Sequence, residues 1–429
     1  MEIKTTINDT ISYGEVIKPG SDLLIGKLTS RYNLENTAHS VALGLVYTDL
    51  LISGSANLSR DEFQSKLNEL GSTIEVSLDK KGLLISINSL KSNLKPTLAL
   101  FVMLMSQPSF TLKEFKRAKQ SLKNVLELSK EDARELALAG LKNSFFNSAS
   151  NQYTHPPESL IKAVDTVAHS DIKRFHNLIL ESSWIATAGG DSYAIKSFKD
   201  TIKKLKKQKV ETVAYANNTF IGLKKCQAVL QEVKTKQNIE VSIGGYLPLT
   251  LKDDELPAFV FGLNVLAKWG GFSGRLMSTV REKEGLTYMI YGRTEGITAT
   301  EAGCWRIATF FSPKDFIKGI NSTINQIEKI ARNGITESES ERFKTILKTG
   351  ETLVFDSLTN TTELVHIKLV SGISWEEHVS FREALYSCTR NQVNNALKDY
   401  LNTSSLTVSA AGPTSAVKQQ LKQLLKVLN

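Results

Sequence analysis

Two stretches, "SSWIATAGGD" (Ser182–Asp191) and "SSLTVSAAGP" (Ser404–Pro413), repeat one message 222 residues apart. Each is a strand-like run that closes on glycine. Each follows an amphipathic helix pattern, "HSDIKRFHNLIL" from His169 and "TRNQVNNALKDYL" from Thr389. A second pair, "FTLKEFKRAKQSL" from Phe110 and "ITESESERFKTIL" from Ile335, recurs at an offset of 225. Both of its members open on an apolar residue and a threonine placed to cap a helix. A period this long is no solenoid; it means two copies of one domain. Strands and helices come in runs, so the expected class is α+β. Two homologous domains from internal duplication are expected, each a mainly antiparallel sheet with helices packed on one face. They are expected to face each other as a clam shell.

The division follows from composition along the chain. Residues 1–208 form the N-terminal domain, 209–237 a linker and 238–429 the C-terminal domain. The stretch "VETVAYANNTFIGLKKCQAVLQEVKTKQN" is polar, whereas "IEVSIGGYLPLT" after it alternates like a strand. That strand reads either as an ordinary core strand or as a sheet edge open to an added peptide. At 429 residues the chain exceeds one ordinary core, which agrees with two domains of roughly 200 residues.

Composition excludes several classes. With 41% hydrophobic and 23% charged residues the chain is globular, not disordered. Cys226, Cys304 and Cys388 are scattered and odd in number, giving neither a disulfide framework nor a zinc knuckle, and fit a reducing compartment. The N-terminus "MEIKTTINDTISYGEV" has no basic and apolar leader, which favours the cytoplasm; the periplasm stays open if an upstream segment has been removed. The apolar run "LALFVMLM" is too short to span a bilayer, so no membrane is expected. Much of the net charge of +9 sits in "IKSFKDTIKKLKKQK" (Ile195–Lys209), where Ile195, Phe198, Ile202 and Leu205 recur at helical spacing. A solvated helix face explains those lysines, and no aromatics alternate with them to stack bases, so nucleic acid is not an expected partner.

The stretch with most chemistry in it is "STVREKEGLTYMIYGR" (Ser278–Arg293). Leu276, Met277 and Val280 form an apolar helical stripe, preceded by Gly270 and Gly271 and ended by Gly285 as a left-handed cap. Arg281 lies in the last turn, where the helix dipole favours a cation. Tyr288 then falls on a strand, with Leu286 and Ile290 on its own face and Thr287, Met289 and Tyr291 on the other. Read alone, these are a dipole-matched surface arginine and a half-buried strand tyrosine.

The longer segment "WGGFSGRLMSTVREKEGLTYMIYG" resembles the C-terminal signature of the pitrilysin/insulinase-type metallopeptidases, the inverzincins. The mitochondrial processing peptidase and the core subunits of the bc1 complex belong to the same group. The resemblance extends over nearly the whole chain, through "NQYTHPPESLIKAVDTVAHSDIKRFHN" and "SIGGYLPLTLKDDELPAFVFGLNVLAKWGG". It implies that Arg281 and Tyr288 bind substrate, donating to the oxyanion that forms when a peptide carbonyl is attacked. One such donor is worth about 3–4 kcal/mol of transition-state stabilisation.

The resemblance also implies a metal motif, H-x-x-E-H on a first-domain helix with a further ligand downstream. The corresponding residues are Leu45, Val46, Tyr47, Thr48 and Asp49, and the distal ligand falls near Asn124 or Val125. None of the six histidines, His39, His155, His169, His176, His366 and His378, restores the motif. "SWEEH" (Ser374–His378) has serine in the first ligand position and reads as the start of a surface helix, and His169 and His176 read as polar-face residues. No catalytic residue, metal ligand or cofactor is therefore expected in this chain alone. Zinc is expected in a partner, a homologous subunit carrying H-x-x-E-H, with which this chain forms a heterodimer that takes extended peptides. Two other readings stand beside it. One is an inert structural subunit, like the bc1 core proteins; the other is a scaffold that binds peptide or nucleic acid without cleavage.

Overall fold

The computed structural model describes residues 1–32, 35–79, 81–206, 220–221, 225–268 and 274–428, with the backbone alone at 351–352 and 424–428. Gly270 and Gly271, and residues 209–219 and 222–224 of the expected linker, lie outside the described residues. Within that linker stretch, Gln227–Glu232 form a strand.

The first sheet contains β1 (Glu2–Thr6), β2 (Ile11–Ile17), β3 (Leu23–Arg31), β4 (Thr73–Asp79), β5 (Gly82–Leu90) and β6 (Ser183–Gly190), in the order β1-β2-β6-β3-β5-β4. The second contains β7 (Gln227–Glu232), β8 (Ile239–Leu247), β9 (Ile290–Glu295), β10 (Gly303–Phe311) and β11 (Thr407–Gly412), in the order β7-β11-β8-β10-β9. The repeated stretches are β6 and β11, and they do the same job. Each runs parallel to one neighbour, β2 or β7, and antiparallel to the other, β3 or β8. Every other pairing is antiparallel. The two sheets thus share one strand order, with β1 added to the first, and the class is α+β.

The second strand at issue, "IEVSIGGYLPLT", is β8. It is hydrogen-bonded on both sides, to β11 and β10, so the reading of it as an edge is corrected. Its buried Ile239, Val241 and Ile243 explain why: a strand that buries its apolar residues in mid-core has no free ladder to offer.

Helices cover each sheet on the expected face. In the first unit, Leu24, Leu28, Trp184 and Ala186 pack with Ile195, Phe198 and Ile202 of the lysine-rich helix Ser192–Leu205. Each sheet also carries a helix on its other face, and that helix comes from the opposite half of the sequence. Compactness divides the chain into Met1–Glu127, Pro156–Ala216 and Gly350–His378 as one unit, and Leu128–His155, Asn217–Thr349 and Val379–Asn429 as the other. The helix Leu358–Val370 lies on β6, β2 and β3, where Val365 and Leu369 bury Val16, Ile25 and Ile185. The helix Ala133–Asn143 lies on β11, β8 and β7, where Ala137 packs on Ala411 and Leu141 on Cys304. Both sheets alternate side chains strand by strand, so each strand has two apolar faces to cover.

The Leu358–Val370 helix sits close. A Cβ on Gly189 of β6 would lie 2.0 Å from Thr362 Oγ1, so only glycine lets helix and strand approach this far. At its centre His366 is fully enclosed, with Nε2 2.9 Å from Thr29 Oγ1 and Nδ1 2.9 Å from Thr187 Oγ1. A neutral imidazole has one donor and one acceptor, and the two hydroxyls match either tautomer. Burial, with Lys27, Arg31 and Lys81 adding to it, pushes the His366 pKa down to about 3.

This packing can be probed in two ways. Gly189→Ala should destabilise the protein by about 1–3 kcal/mol through overpacking, and Thr362→Ala should recover part of that loss in the double variant, read from denaturant midpoints. An unfolded histidine takes its proton near pH 6.5, whereas folded His366 takes one only near 3. The stability this site contributes is therefore complete above pH 6.5 and declines as the pH falls from 6.5 towards 3, by up to roughly 1.4 kcal/mol per pH unit. Urea midpoints for His366→Gln should depend less on pH across that window than those of the unaltered protein.

Candidate functional site

The Arg–Tyr segment begins at an anchor. Arg275 holds Glu339 through two hydrogen bonds of 2.5 and 2.6 Å and donates to Gly334 O at 2.9 Å. The next turn is a π-helix, Met277–Lys283, with Leu276, Met277 and Val280 buried in the core. Its widened turn shows in the Glu284 N–H, which reaches Thr279 O at 3.0 Å. Gly285 ends it at φ 65°, as the sequence suggests, and its N–H bonds Arg281 O at 3.0 Å. Leu286 N–H then bonds Val280 O at 3.0 Å, turning the chain back.

Beyond this turn the chain departs from the expected strand. Tyr288 lies in a bend, and β9 starts only at Ile290. Burial runs in pairs: Leu286 and Thr287 are buried, Tyr288 and Met289 protrude, and Ile290 and Tyr291 are buried again. The cause is a hydroxyl cluster. Buried Thr309 of β10 places Oγ1 3.0 Å from Met289 O and 3.1 Å from Thr287 Oγ1, and Thr287 Oγ1 lies 3.2 Å from Met289 O. These bonds close the chain on both sides of Tyr288 where a ladder would have extended it. Tyr288 is 73% exposed, and the Arg281 guanidinium stands 4.8 Å from its ring centroid. The structure thus brings Arg281 and Tyr288 together as one solvent-facing pair. A cation over an exposed aromatic ring contributes about 0.5–1 kcal/mol.

The positions of the metal motif lie on the helix Ala38–Leu51, capped by Thr37. Val46 and Tyr47 point into the core, while Leu45, Thr48 and Asp49 share the opposite, partly exposed face. The Tyr47 hydroxyl lies 2.8 Å from His176 Nδ1, and His176 Nε2 lies 3.0 Å from Met105 O. His176 is therefore a buried core residue, which corrects the polar-face reading: the hydroxyl and the carbonyl satisfy both ring nitrogens, so burial costs little.

On the motif face Thr48 donates its proton to Leu45 O at 2.8 Å. Asp49 meets two guanidiniums, Arg60 at 3.3 Å and Arg117 at 2.7 Å. Glu114 joins them, accepting from Arg117 at 2.8 Å and Arg60 at 3.2 Å. The Arg117 hydrogen bond holds the Glu114 carboxyl below the usual carboxylate range, against partial burial and with help from Arg60. At the distal position Asn124 accepts from Gln120 at 3.0 Å, and Val125 is exposed. These residues do not fit zinc. Leucine and threonine offer no ligand, Asp49 is already engaged, and two guanidiniums would repel a dication. Among the described residues no three His, Cys, Asp or Glu side chains gather as a metal site.

The "SWEEH" stretch starts a helix as expected, with Glu377 N–H bonded to Ser374 Oγ at 3.1 Å. His378 is not on its surface. It is buried against the Trp375 ring at 5.1 Å, neither ring nitrogen has a hydrogen-bond partner among the described residues, and burial, with Lys368, pushes its pKa down to about 4.

Sequence reasoning missed Thr287 and Thr309. A threonine three residues before the start of β9 and another in the neighbouring strand carry no spacing signal, because their partnership depends on strand register. Thr309→Val should remove the clasp at a cost of about 1–2 kcal/mol and speed chymotryptic cutting after Tyr288, whereas Thr309→Ser should keep both near normal.

Known proteins bear on this geometry in three ways. Residues 195–347 match the family described as "Peptidase M16 inactive domain". The "Non-peptidase homolog YmxG" of Helicobacter pylori is 19% identical over 86% of this chain and 84% of its own. A peptidase M16 inactive domain from Pseudomonas fluorescens superposes with a TM-score of 0.82 at 18% identity, covering 96% of this chain and 99% of that one. A chain of complex III2 from Candida albicans superposes at 0.72 and 16% identity, covering 97% of each. At these identities the superpositions show a shared fold. Together with the match over residues 195–347, they fit the resemblance of this chain to a non-catalytic member of the pitrilysin/insulinase-type (M16) peptidase family.

Proposed function

We propose that this chain is the non-catalytic subunit of a heteromeric zinc metallopeptidase, supplying Arg281 and Tyr288 in trans to a homologous subunit that carries H-x-x-E-H. The observation that carries this reading is the exposed Tyr288 ring with the half-buried Arg281 guanidinium 4.8 Å from its centroid, on a bend pinned by buried threonines, in a chain whose Asp49, at the last motif position, is held in ion pairs. The zinc of the partner would polarise the peptide carbonyl and supply the attacking water. Arg281 and Tyr288 would donate to the oxyanion and to the neighbouring peptide backbone as charge develops. Both donors are set before substrate arrives, Tyr288 by the bend and Arg281 by the end of the π-helix, so little reorganisation is needed. Substrates would be extended peptides, whose backbone can add to an open strand edge. In the two sheets those edges belong to β1, β4, β7 and β9.

A second reading, an inert structural subunit, is favoured by the likeness to a chain of complex III2. The two are separated by copurifying the chain with a relative that carries the zinc motif and assaying cleavage of unfolded peptides. Under the proposal Arg281→Ala and Tyr288→Phe each lower kcat by about a hundredfold or more while the complex stays assembled on gel filtration. Turnover unchanged in both variants would leave the structural reading standing.

A further inference from the structure

One end of the first sheet carries a feature that the peptidase reading does not use. β2 ends there at Ile17, β5 at Leu90 and β6 at Gly190, and β3 begins there at Leu23. Leu23 and Leu90 are partners across the β3–β5 ladder, and both project into solvent at 41% and 43% exposure. Tyr193, 46% exposed, lies at the same end of the sheet, in the first turn of the helix Ser192–Leu205 that covers the other face. The turns beneath are stitched together. Lys18 N–H bonds Gly190 O at 2.8 Å, Lys91 N–H bonds Asp22 O at 2.7 Å, and Asp191 caps the helix at Ala194 N while pairing with Lys91. The Lys91 ammonium lies 5.9 Å from the centroid of the Tyr193 ring. These bonds tie the turns at this end of the sheet to one another.

Lysines lie at the same end. Lys18 is exposed in the β2–β3 turn, Lys95 in the first turn of the helix Leu94–Ser106, and Lys196 one helical turn beyond Tyr193. None of the three has an ion pair among the described residues; of the acids at this end, Asp191 is paired with Lys91, Asp22 acts on Lys91 as well, and Glu15 and Asp200 line a groove with Lys196. Two exposed leucines, an exposed tyrosine and three lysines without ion pairs among the described residues, all at one end of the sheet, match one kind of surface better than another. Lysine is depleted from protein–protein interfaces. Around exposed Leu and Tyr it is the pattern of a segment that rests on anionic headgroups, the ring at headgroup depth and the ammonium groups on the phosphates.

We propose that this end of the first sheet docks the protein peripherally on an anionic lipid bilayer, with Leu23, Leu90 and Tyr193 entering the headgroup layer and Lys18, Lys95 and Lys196 contacting lipid phosphates. Such docking needs no spanning helix, and among the described residues none is long and apolar enough to cross a membrane.

The test is cosedimentation of the full chain with phosphatidylcholine vesicles made with and without phosphatidylglycerol. The protein should partition onto the anionic vesicles alone and be released by raising salt to about 0.5 M. Replacing Lys18, Lys95 and Lys196 together with Gln should lower partitioning on the order of a hundredfold. Lys314, Lys318 and Lys329, exposed in the other unit, provide the control: their replacement by Gln removes the same net charge and should leave partitioning nearly intact. Leu90→Ser with Tyr193→Ser should weaken binding while its salt dependence persists, and melting temperatures should match throughout because every altered side chain is solvent-facing. Failure of the unaltered protein to bind anionic vesicles overturns the proposal. So does an equal loss from the two lysine sets, which would make the effect one of net charge, or capture by acidic proteins in place of lipid.

Discussion

The fold rests on the need of each sheet to cover two apolar faces when its own half of the sequence covers only one. The point is sharpest at β6, where Trp184, Ala186 and Ala188 face one core and Ile185, Thr187 and Gly189 face the helix Leu358–Val370. Without that helix, Val16, Ile25 and Ile185 would meet water, at about 1.5–3 kcal/mol for each large aliphatic side chain exposed. Thr29 and Thr187 would lose His366 as well. The second sheet has the same requirement and meets it with Ala133–Asn143. Each half therefore completes the other, and neither 1–208 nor 238–429 contains all the residues of one compact unit.

This exchange marks the limit of what the sequence discloses. The duplication is legible because β6 and β11 share a rare texture, small residues closing on glycine, and that texture has a cause in the close approach of a helix. The cap at Gly285 is legible because it depends on one residue's backbone freedom. The buried face of Leu358–Val370 mixes leucine and valine with Thr361, Thr362 and His366, so apolar periodicity marks it weakly, and the sheet it covers is set by connections hundreds of residues away. The same gap explains the histidines. His176 and His378 lie at helical positions that look polar by residue type, yet one is received by Tyr47 and a carbonyl and the other is enclosed beside Trp375.

The Tyr288 segment escapes a sequence reading for a related reason. Leu286, Tyr288 and Ile290 alternate with Thr287, Met289 and Tyr291 as a strand would, and two-residue periodicity is the usual sign of one. Local alternation cannot reveal that a threonine of β10 will compete for the ladder. Once Thr309 binds Met289 O, the chain bends, and the side chain that would have lain along the sheet projects from it.

That projection weighs on the choice between a working subunit and an inert scaffold. The positions that the resemblance assigns to the metal and those it assigns to substrate differ in physical character. On the metal side, Leu45, Thr48 and Asp49 are bound into the structure: Thr48 satisfies its own helix, and Asp49 with Glu114 ties Arg60 and Arg117 between three helices. Those contacts stabilise the unit and leave nothing directed at a ligand. On the other side, Tyr288 is mostly in water, and its phenol adds little to folding. Its stacking with Arg281 contributes less than the buried bonds of Thr309 beneath it. The buried hydroxyls of Thr287 and Thr309 hold the exposed phenol beside the Arg281 guanidinium, and the proposed role in a heteromeric peptidase rests on that arrangement.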